Sequence, residues 1–157
     1  QLAAAGFSGR FVIVGGGELA GRLQQLAREL GIADRTVFTG WQRDLEKVYA
    51  DLDVLVNTAN NEGTPVALIE AMAARVPVVA TAVGGVPDMI ESELSGFLVP
   101  TGDLDALVEA IQRALSAPAS LLDAAQNYAL KNHNLERMLT GAANLYWRLL
   151  QEKGYVL

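Results

Sequence analysis

Short runs of apolar, β-branched residues alternate with stretches of helical periodicity along this chain, and this alternation is the feature that most constrains its fold. The first run, Phe11–Val14, ends in three glycines, after which leucine and alanine recur at helical spacing until Gly31. Further strands are predicted over residues 36–39, 54–56, 77–81 and 97–99. Strands that alternate with helices form a parallel sheet with helices on both faces. The sequence therefore predicts an α/β fold of the Rossmann-like type.

Length, charge and composition narrow the class of protein. The 157 residues are enough for one domain, and no apolar run reaches the length of a membrane span. A net charge of −6 disfavours a nucleic-acid surface. The chain has no cysteine, which excludes disulfides and cysteine-bound metals, and one histidine, His133, which disfavours a histidine-rich metal site. We expect a cytoplasmic protein without a bound metal.

The predicted strands are each followed by a loop with residues suited to ligand contacts. Glycines follow the first strand, Gly40 and Trp41 the second, residues 57–63 the third, and Gly84 with Gly85 the fourth. In open α/β sheets, ligands bind outside the carboxyl ends of the strands. These loops are therefore expected to gather at one edge and form a binding site.

Residues 60–80, NNEGTPVALIEAMAARVPVVA, contain the most informative carboxylates. Thr64 and Pro65 predict a helix start, because threonine is a good N-cap and proline suits the first helical position. Glu70 is the only charged residue in the apolar turns that follow, and its burial is costly without a hydrogen-bond partner. Glu62 precedes the cap, close to first-turn N–H groups that can bind an anion. Two carboxylates that accept hydrogen bonds from hydroxyl groups, beside a phosphate-binding site, would suit a nucleotide-sugar.

The segment EGTPVALIEAMA, in which seven residues separate Glu62 from Glu70, resembles the E-x7-E signature of family-4 glycosyltransferases. The next segment, PVVATAVGGVPDMI, resembles the following block of that family. The whole chain is similar to the C-terminal, donor-binding domain of these retaining, two-domain GT-B enzymes. The resemblance implies a single nucleotide-sugar-binding domain over residues 1–157, with a last helix over roughly 135–152.

The resemblance also implies roles for individual residues. The second glutamate of the family, matched by Glu70, hydrogen-bonds the nucleotide ribose. The first, matched by Glu62, faces the donor sugar and is the candidate catalytic residue. The backbone that follows Glu62 would bring N–H groups to the sugar and the distal phosphate. The candidate donor-binding residues are Gly16, Gln42, Lys47, Glu62, Gly63, Thr64, Pro65, Val66 and Glu70.

Two other motifs have less specific interpretations. Residues 15–20, GGGELA, fit the G-x-G-x-x-A form of the dinucleotide motif, but the second strand does not end in the acidic residue that such a site needs. A strand-to-helix turn at the ligand edge is the favoured interpretation of Gly16. Asp51 and Asp53 imitate a D-x-D metal motif, yet they precede a strand and so lie at the wrong end of the sheet. For Gln42 we expect a base contact, and for Lys47 a donor contact or an ordinary solvated charge.

The sequence departs from the family pattern at two places. Arg75 stands where the family usually has glycine, and a left-handed backbone there would cost about 1 kcal/mol, unless Arg75 gains a contact of its own. The family domain also normally begins with another strand and helix, which carry an Arg and a Lys for the diphosphate and are not matched here.

These expectations combine into one functional hypothesis. The chain is the donor-binding half of a hexosyltransferase-type glycosyltransferase, inactive alone, that moves a sugar from a nucleoside diphosphate to an acceptor hydroxyl. Its partners would be the nucleotide-sugar donor and the missing N-terminal acceptor domain, and any contact with a membrane would be made through that domain. A second copy of the chain would bind through an exposed sheet edge. The alternatives are a non-catalytic nucleotide-sugar-binding or assembly module and a related GT-B sugar-nucleotide epimerase domain.

Overall fold

The computed structural model of the chain describes residues 1–155, in which strands and helices alternate as predicted. The strands are β1 (Phe11–Val14), β2 (Thr36–Gly40), β3 (Leu55–Asn57), β4 (Val78–Thr81) and β5 (Phe97–Val99). The helices are α1 (Ala20–Glu29), α2 (Leu45–Ala50), α3 (Val66–Ala73), α4 (Leu104–Ala114), α5 (Ala119–Asn132) and α6 (Leu135–Glu152), with 3-10 turns at Ala33–Arg35 and Val86–Asp88. The predicted α/β class is confirmed.

The strands form two separate parallel sheets, and the chain divides into two compact units. In the first unit, Gln1–Val48, β1 pairs with β2, and Phe11 lies opposite Thr36. In the second unit, which starts at Tyr49, the strand order is β3-β4-β5, and Leu55 lies opposite Val78. All pairings are parallel, as predicted, and the strands are divided between two sheets.

Within each sheet, the strands keep the order of a doubly wound fold. In a sheet of order 3-2-1-4-5-6, the third strand pairs with the second, and the fifth lies between the fourth and the sixth. If β1 is counted as the second strand, the two sheets have the orders 3-2 and 4-5-6. Each sheet by itself therefore agrees with the predicted Rossmann-like class.

The core of the second unit is built around β4. All four residues of this strand are buried, as expected for the central strand of a parallel sheet. Helix α3 packs against α5, and Gln126 on α5 donates a side-chain hydrogen bond of 2.8 Å to the backbone oxygen of Ala73. The largest fully buried side chains are Leu68, Met72, Val78, Val79, Val86 and Ile90.

The remaining elements are less buried. Ala27 is the only buried residue of α1, and α6 has no buried residue along its length. None of the helices in residues 1–155 combines the length and the apolar character needed to cross a membrane.

Arg75, which follows the C-cap residue Ala74 of α3, has the left-handed backbone that was considered for it, with a φ of 62°. The N–H of Arg75 bonds to the oxygen of Met72 at 3.1 Å, and the N–H of Val76 bonds to that of Ala71 at 2.9 Å. These two bonds form a Schellman motif, which usually has glycine at this position. The Arg75 guanidinium forms an exposed ion pair with Asp123 on α5. The arginine therefore gains a contact that offsets part of its backbone strain.

We expect Arg75→Gly to be at least as stable as the wild type. Glycine relieves a left-handed strain of about 1–2 kcal/mol, whereas an exposed ion pair contributes only about 0.2–1 kcal/mol. Arg75→Ala is the matched control, because it loses the ion pair and keeps the strain, and it should be the least stable of the three. Urea denaturation of the three proteins measures the order, and a glycine variant less stable than the alanine variant would contradict the strain argument.

Candidate functional site

The amino end of α3 differs from the expected cap. Val66 is the first helical residue, and Pro65 is the N-cap, with extended backbone angles of φ −70° and ψ 106°. The prediction that Thr64 caps the helix and Pro65 occupies its first position is therefore wrong, because the extended ψ of Pro65 places it outside the helix. The oxygen of Pro65 accepts the first helical bond, from Leu68, at 3.1 Å.

This cap also changes which groups could meet an anion. The backbone that follows Glu62 was expected to bring N–H groups to the ligand, with Pro65 among the candidate residues, but proline has no backbone N–H and cannot supply one. First-turn N–H groups, such as that of Val66, have no partner within their own helix. Gly63 and Thr64, which are exposed and precede the cap, can supply further N–H groups. The helix start keeps the character of an anion site without the proline.

Glu70 lies on the second turn of α3 and is held by a tyrosine from α2. The hydroxyl of Tyr49 donates a hydrogen bond of 2.7 Å to Oε2 of Glu70. Tyr49 is buried, and this burial, together with the hydrogen bond and the charge of Glu70, raises the pKa of the tyrosine above its ordinary value. The hydrogen bond supplies the partner that a carboxylate on an apolar helix requires.

Glu62 is held in a similar way by the residue that ends β3. The side-chain amide of Asn57 donates a bond of 3.1 Å to Oε1 of Glu62, while its oxygen accepts one of 2.9 Å from the N–H of Ala59. Asn57 thus ties the loop that leaves the strand to the carboxylate that follows it. Thr81, buried at the end of β4, donates a bond of 2.5 Å to the oxygen of Ala59 and fixes the same loop.

The two glutamates share one arrangement. Each is partly buried and has one carboxylate oxygen bonded to a neighbouring side chain. Within residues 1–155, no protein donor bonds to Oε2 of Glu62 or to Oε1 of Glu70. The second unit therefore presents two oriented acceptors, one before and one after the amino end of α3 in the chain, and each can bind a ligand hydroxyl.

The loop after β4 supports the backbone of Glu62. The N–H of Gly85 bonds to the oxygen of Glu62 at 3.3 Å. A Cβ at Gly84 would lie 1.7 Å from that oxygen, and a Cβ at Gly85 would lie 2.4 Å from the oxygen of Gly63. Only glycine permits this approach of one backbone to another. These two loops do meet beyond the carboxyl ends of β3 and β4, as expected.

Three candidate donor-binding residues belong to the first unit, and each comes after the carboxyl end of one of its two strands. Gly16 follows β1, and the indole of Trp41 is 3.3 Å from where its Cβ would be. Gln42 is exposed and donates a bond of 2.9 Å to the oxygen of Thr39. Lys47 is exposed and pairs with Asp44 at 2.8 Å, a surface ion pair of the weak kind. The roles of all three in binding remain predictions.

Sequence patterns did not identify Tyr49 or Thr81 as parts of this site. Asn57 lies in the predicted loop 57–63, but it was not named as a candidate by itself. Tyr49 is 21 positions from Glu70, and Thr81 is 22 positions from Ala59. No periodicity connects residues at such separations, so these contacts depend on the fold.

No cluster of three or more histidine, cysteine, aspartate or glutamate side chains that could hold a metal occurs in residues 1–155. Asp51 and Asp53 lie between α2 and β3, at the strand's amino end.

Comparison with known proteins extends these observations. The Vi polysaccharide biosynthesis protein VipC/TviE of Salmonella typhi is 34% identical over 144 residues, which are 92% of this chain and 22% of that protein. The UDP-Gal:alpha-D-GlcNAc-diphosphoundecaprenol alpha-1,3-galactosyltransferase of Escherichia coli is 31% identical over 104 residues, which are 66% of this chain and 27% of the enzyme. The chain thus spans about a quarter of the length of these relatives.

A solved structure of another protein is also similar to this chain. The sucrose-phosphate synthase of Thermosynechococcus elongatus superposes with a TM-score of 0.84 and 31% identity, over 96% of this chain and 41% of that chain. The family model described as Glycosyl transferases group 1 matches residues 1–117. Because this match covers 117 of the 157 residues, the chain belongs to the family Glycosyl transferases group 1.

Proposed function

We propose that this chain is the donor-binding half of a glycosyltransferase that moves a sugar from a nucleoside diphosphate sugar to an acceptor hydroxyl. The observation that carries the proposal is the pair Glu62 and Glu70, which flank the amino end of α3 with one oriented oxygen each. A nucleoside diphosphate sugar has the matching pattern, since its diphosphate lies between a ribose and a sugar that both carry hydroxyls.

The contribution of these residues to transfer would be positioning and electrostatics. Negative charge grows on the diphosphate as it leaves, and the first-turn N–H groups and dipole of α3 can stabilise that charge. Glu62 would hold the transferred sugar, and Glu70 the ribose. This scheme requires neither a protein nucleophile nor a general base from this chain, and it places no metal in the site.

The relatives support the class of donor. The galactosyltransferase from Escherichia coli is named for UDP-Gal, and the solved synthase is also named for making a sugar derivative. The acceptor-binding domain, membrane contact through that domain, self-association and a cytoplasmic location are further parts of the proposal.

A binding and transfer experiment tests the function. UDP, GDP and ADP, each with and without a sugar, would be titrated calorimetrically into the full-length protein and into the 157-residue chain. We expect the full-length protein to prefer one of the three nucleotides and to transfer its sugar, and the short chain to transfer none. A full-length protein that binds none of them would overturn the proposal, and binding without transfer would favour a non-catalytic module. Interconversion of the sugar without transfer would favour an epimerase.

A further inference from the structure

Tyr49 makes a contact with Glu70 that packing alone does not require. The residue lies in the last turn of α2, its exposed fraction is 8%, and its hydroxyl is 2.7 Å from Oε2 of Glu70. This distance lies within the range for a hydroxyl bonded to a carboxylate, which is the stronger class of hydrogen bond. The ring therefore packs in the core while its hydroxyl reaches a candidate ligand-binding group.

The chemistry of the pair sets the direction of this hydrogen bond. A carboxylate only accepts, so the tyrosine must donate. Burial and the adjacent negative charge raise the pKa of Tyr49, so the hydroxyl keeps its proton at neutral and moderately alkaline pH. Tyr49 is therefore the donor over the neutral and moderately alkaline range.

The bond also limits the freedom of Glu70. A glutamate side chain loses much rotamer entropy when it is ordered, and a ligand that must order it binds more weakly. With Oε2 held by Tyr49, the side chain is already oriented, and Oε1 has no protein donor within residues 1–155. The carboxylate is prepared to accept a bond from a ligand hydroxyl.

We propose that Tyr49 is a positioning residue, which orients Glu70 so that Oε1 accepts a hydrogen bond from a ribose hydroxyl of the donor nucleotide. This role rests on the proposed function, because it assumes that Glu70 meets a ribose. Tyr49 itself does not touch the nucleotide.

The test uses Tyr49→Phe in the full-length protein, which removes one oxygen and keeps the ring. The matched control is Tyr128→Phe, because the hydroxyl of Tyr128 also donates a hydrogen bond, of 2.6 Å, but to the backbone oxygen of Asp88 and not to either glutamate. Calorimetry with the tightest binder among UDP, GDP and ADP should show roughly tenfold weaker binding for Tyr49→Phe and no change for Tyr128→Phe.

The second readout separates positioning from general structural damage. Each protein is also titrated with the 2′,3′-dideoxy form of the same diphosphate, which lacks both ribose hydroxyls. Tyr49→Phe should leave this affinity unchanged, so that the preference for the ribose form falls by the same factor of roughly ten. In a Glu70→Ala background, Tyr49→Phe should have no further effect on binding.

The outcomes distinguish the two proposals. A wild type that binds none of the three diphosphates would overturn the proposed function and this role with it. A wild type that prefers the ribose form, with the same preference in Tyr49→Phe, would overturn only the role of Tyr49. If Tyr49→Phe weakens the binding of the ribose form and of the dideoxy form equally, only the role of Tyr49 is likewise overturned. If Tyr49→Phe does not fold, Glu70→Gln is used in its place. The amide introduced by this substitution can accept the hydrogen bond from Tyr49 only if its NH2 group, rather than its oxygen, faces the ligand. An unchanged preference for the ribose form would then overturn the role proposed for Tyr49.

Discussion

Replacement of Glu70 by alanine should weaken the binding of the bare nucleoside diphosphate as much as that of the full donor. Loss of a hydrogen bond to a charged group costs roughly 1.5–3 kcal/mol, or about tenfold to a hundredfold in affinity. Glu62→Ala should leave the bare diphosphate nearly unaffected and reduce turnover with the sugar attached. The reason is position: Glu70 lies on the second turn of α3, and Glu62 precedes its cap on the other side of the anion site.

Calorimetry with the diphosphate and initial rates with the full donor measure these effects. Glu136→Ala, an exposed glutamate at the start of α6, serves as the control and should change neither quantity. If Glu62→Ala weakens the bare diphosphate while Glu70→Ala does not, the assignment is reversed. Equal losses in both variants would mean that the glutamates mainly keep the loop in shape.

Gly84→Ala should cause the largest loss of stability and donor turnover among single methyl additions in the second unit. The new Cβ would lie 1.7 Å from the backbone oxygen of Glu62, and the backbone of Gly84 has a φ of 52°. One of the two loops must move, which displaces the candidate catalytic carboxylate. Overpacking costs about 1–3 kcal/mol, and a left-handed alanine about 1–2 kcal/mol more.

Gly102→Ala is a matched control for this experiment. Its φ is 80°, and its Cβ would meet nothing within 4 Å, so this variant has the backbone strain without the collision. Thermal unfolding and donor turnover of both variants give the comparison. Turnover should fall at least tenfold in Gly84→Ala and stay near the wild-type rate in Gly102→Ala. Similar values for the two variants would refute the idea that the glycine contact positions Glu62.

Much of the local structure follows from patterns within the sequence. The alternation of apolar runs and helical periodicity predicted all five strands, because these signals depend on residues only a few positions apart. The question of a left-handed backbone at Arg75 came from the resemblance, because the family usually has glycine at this position, and the structure has a φ of 62° there. Glu70 could be identified as a candidate because a carboxylate in an apolar helix is unusual, and Glu62 because it precedes the helix start, where N–H groups can bind an anion.

The tertiary structure decided how these residues are supported. Tyr49 reaches Glu70 across 21 positions, and the Gly84 loop reaches the backbone of Glu62 across 22 positions of sequence. Such contacts depend on the path of the chain between the elements. Likewise, the strand pairing that divides the fold into two sheets depends on which strand edges meet. Local propensity determines where strands and helices form, whereas long-range packing determines which side chains orient the glutamates.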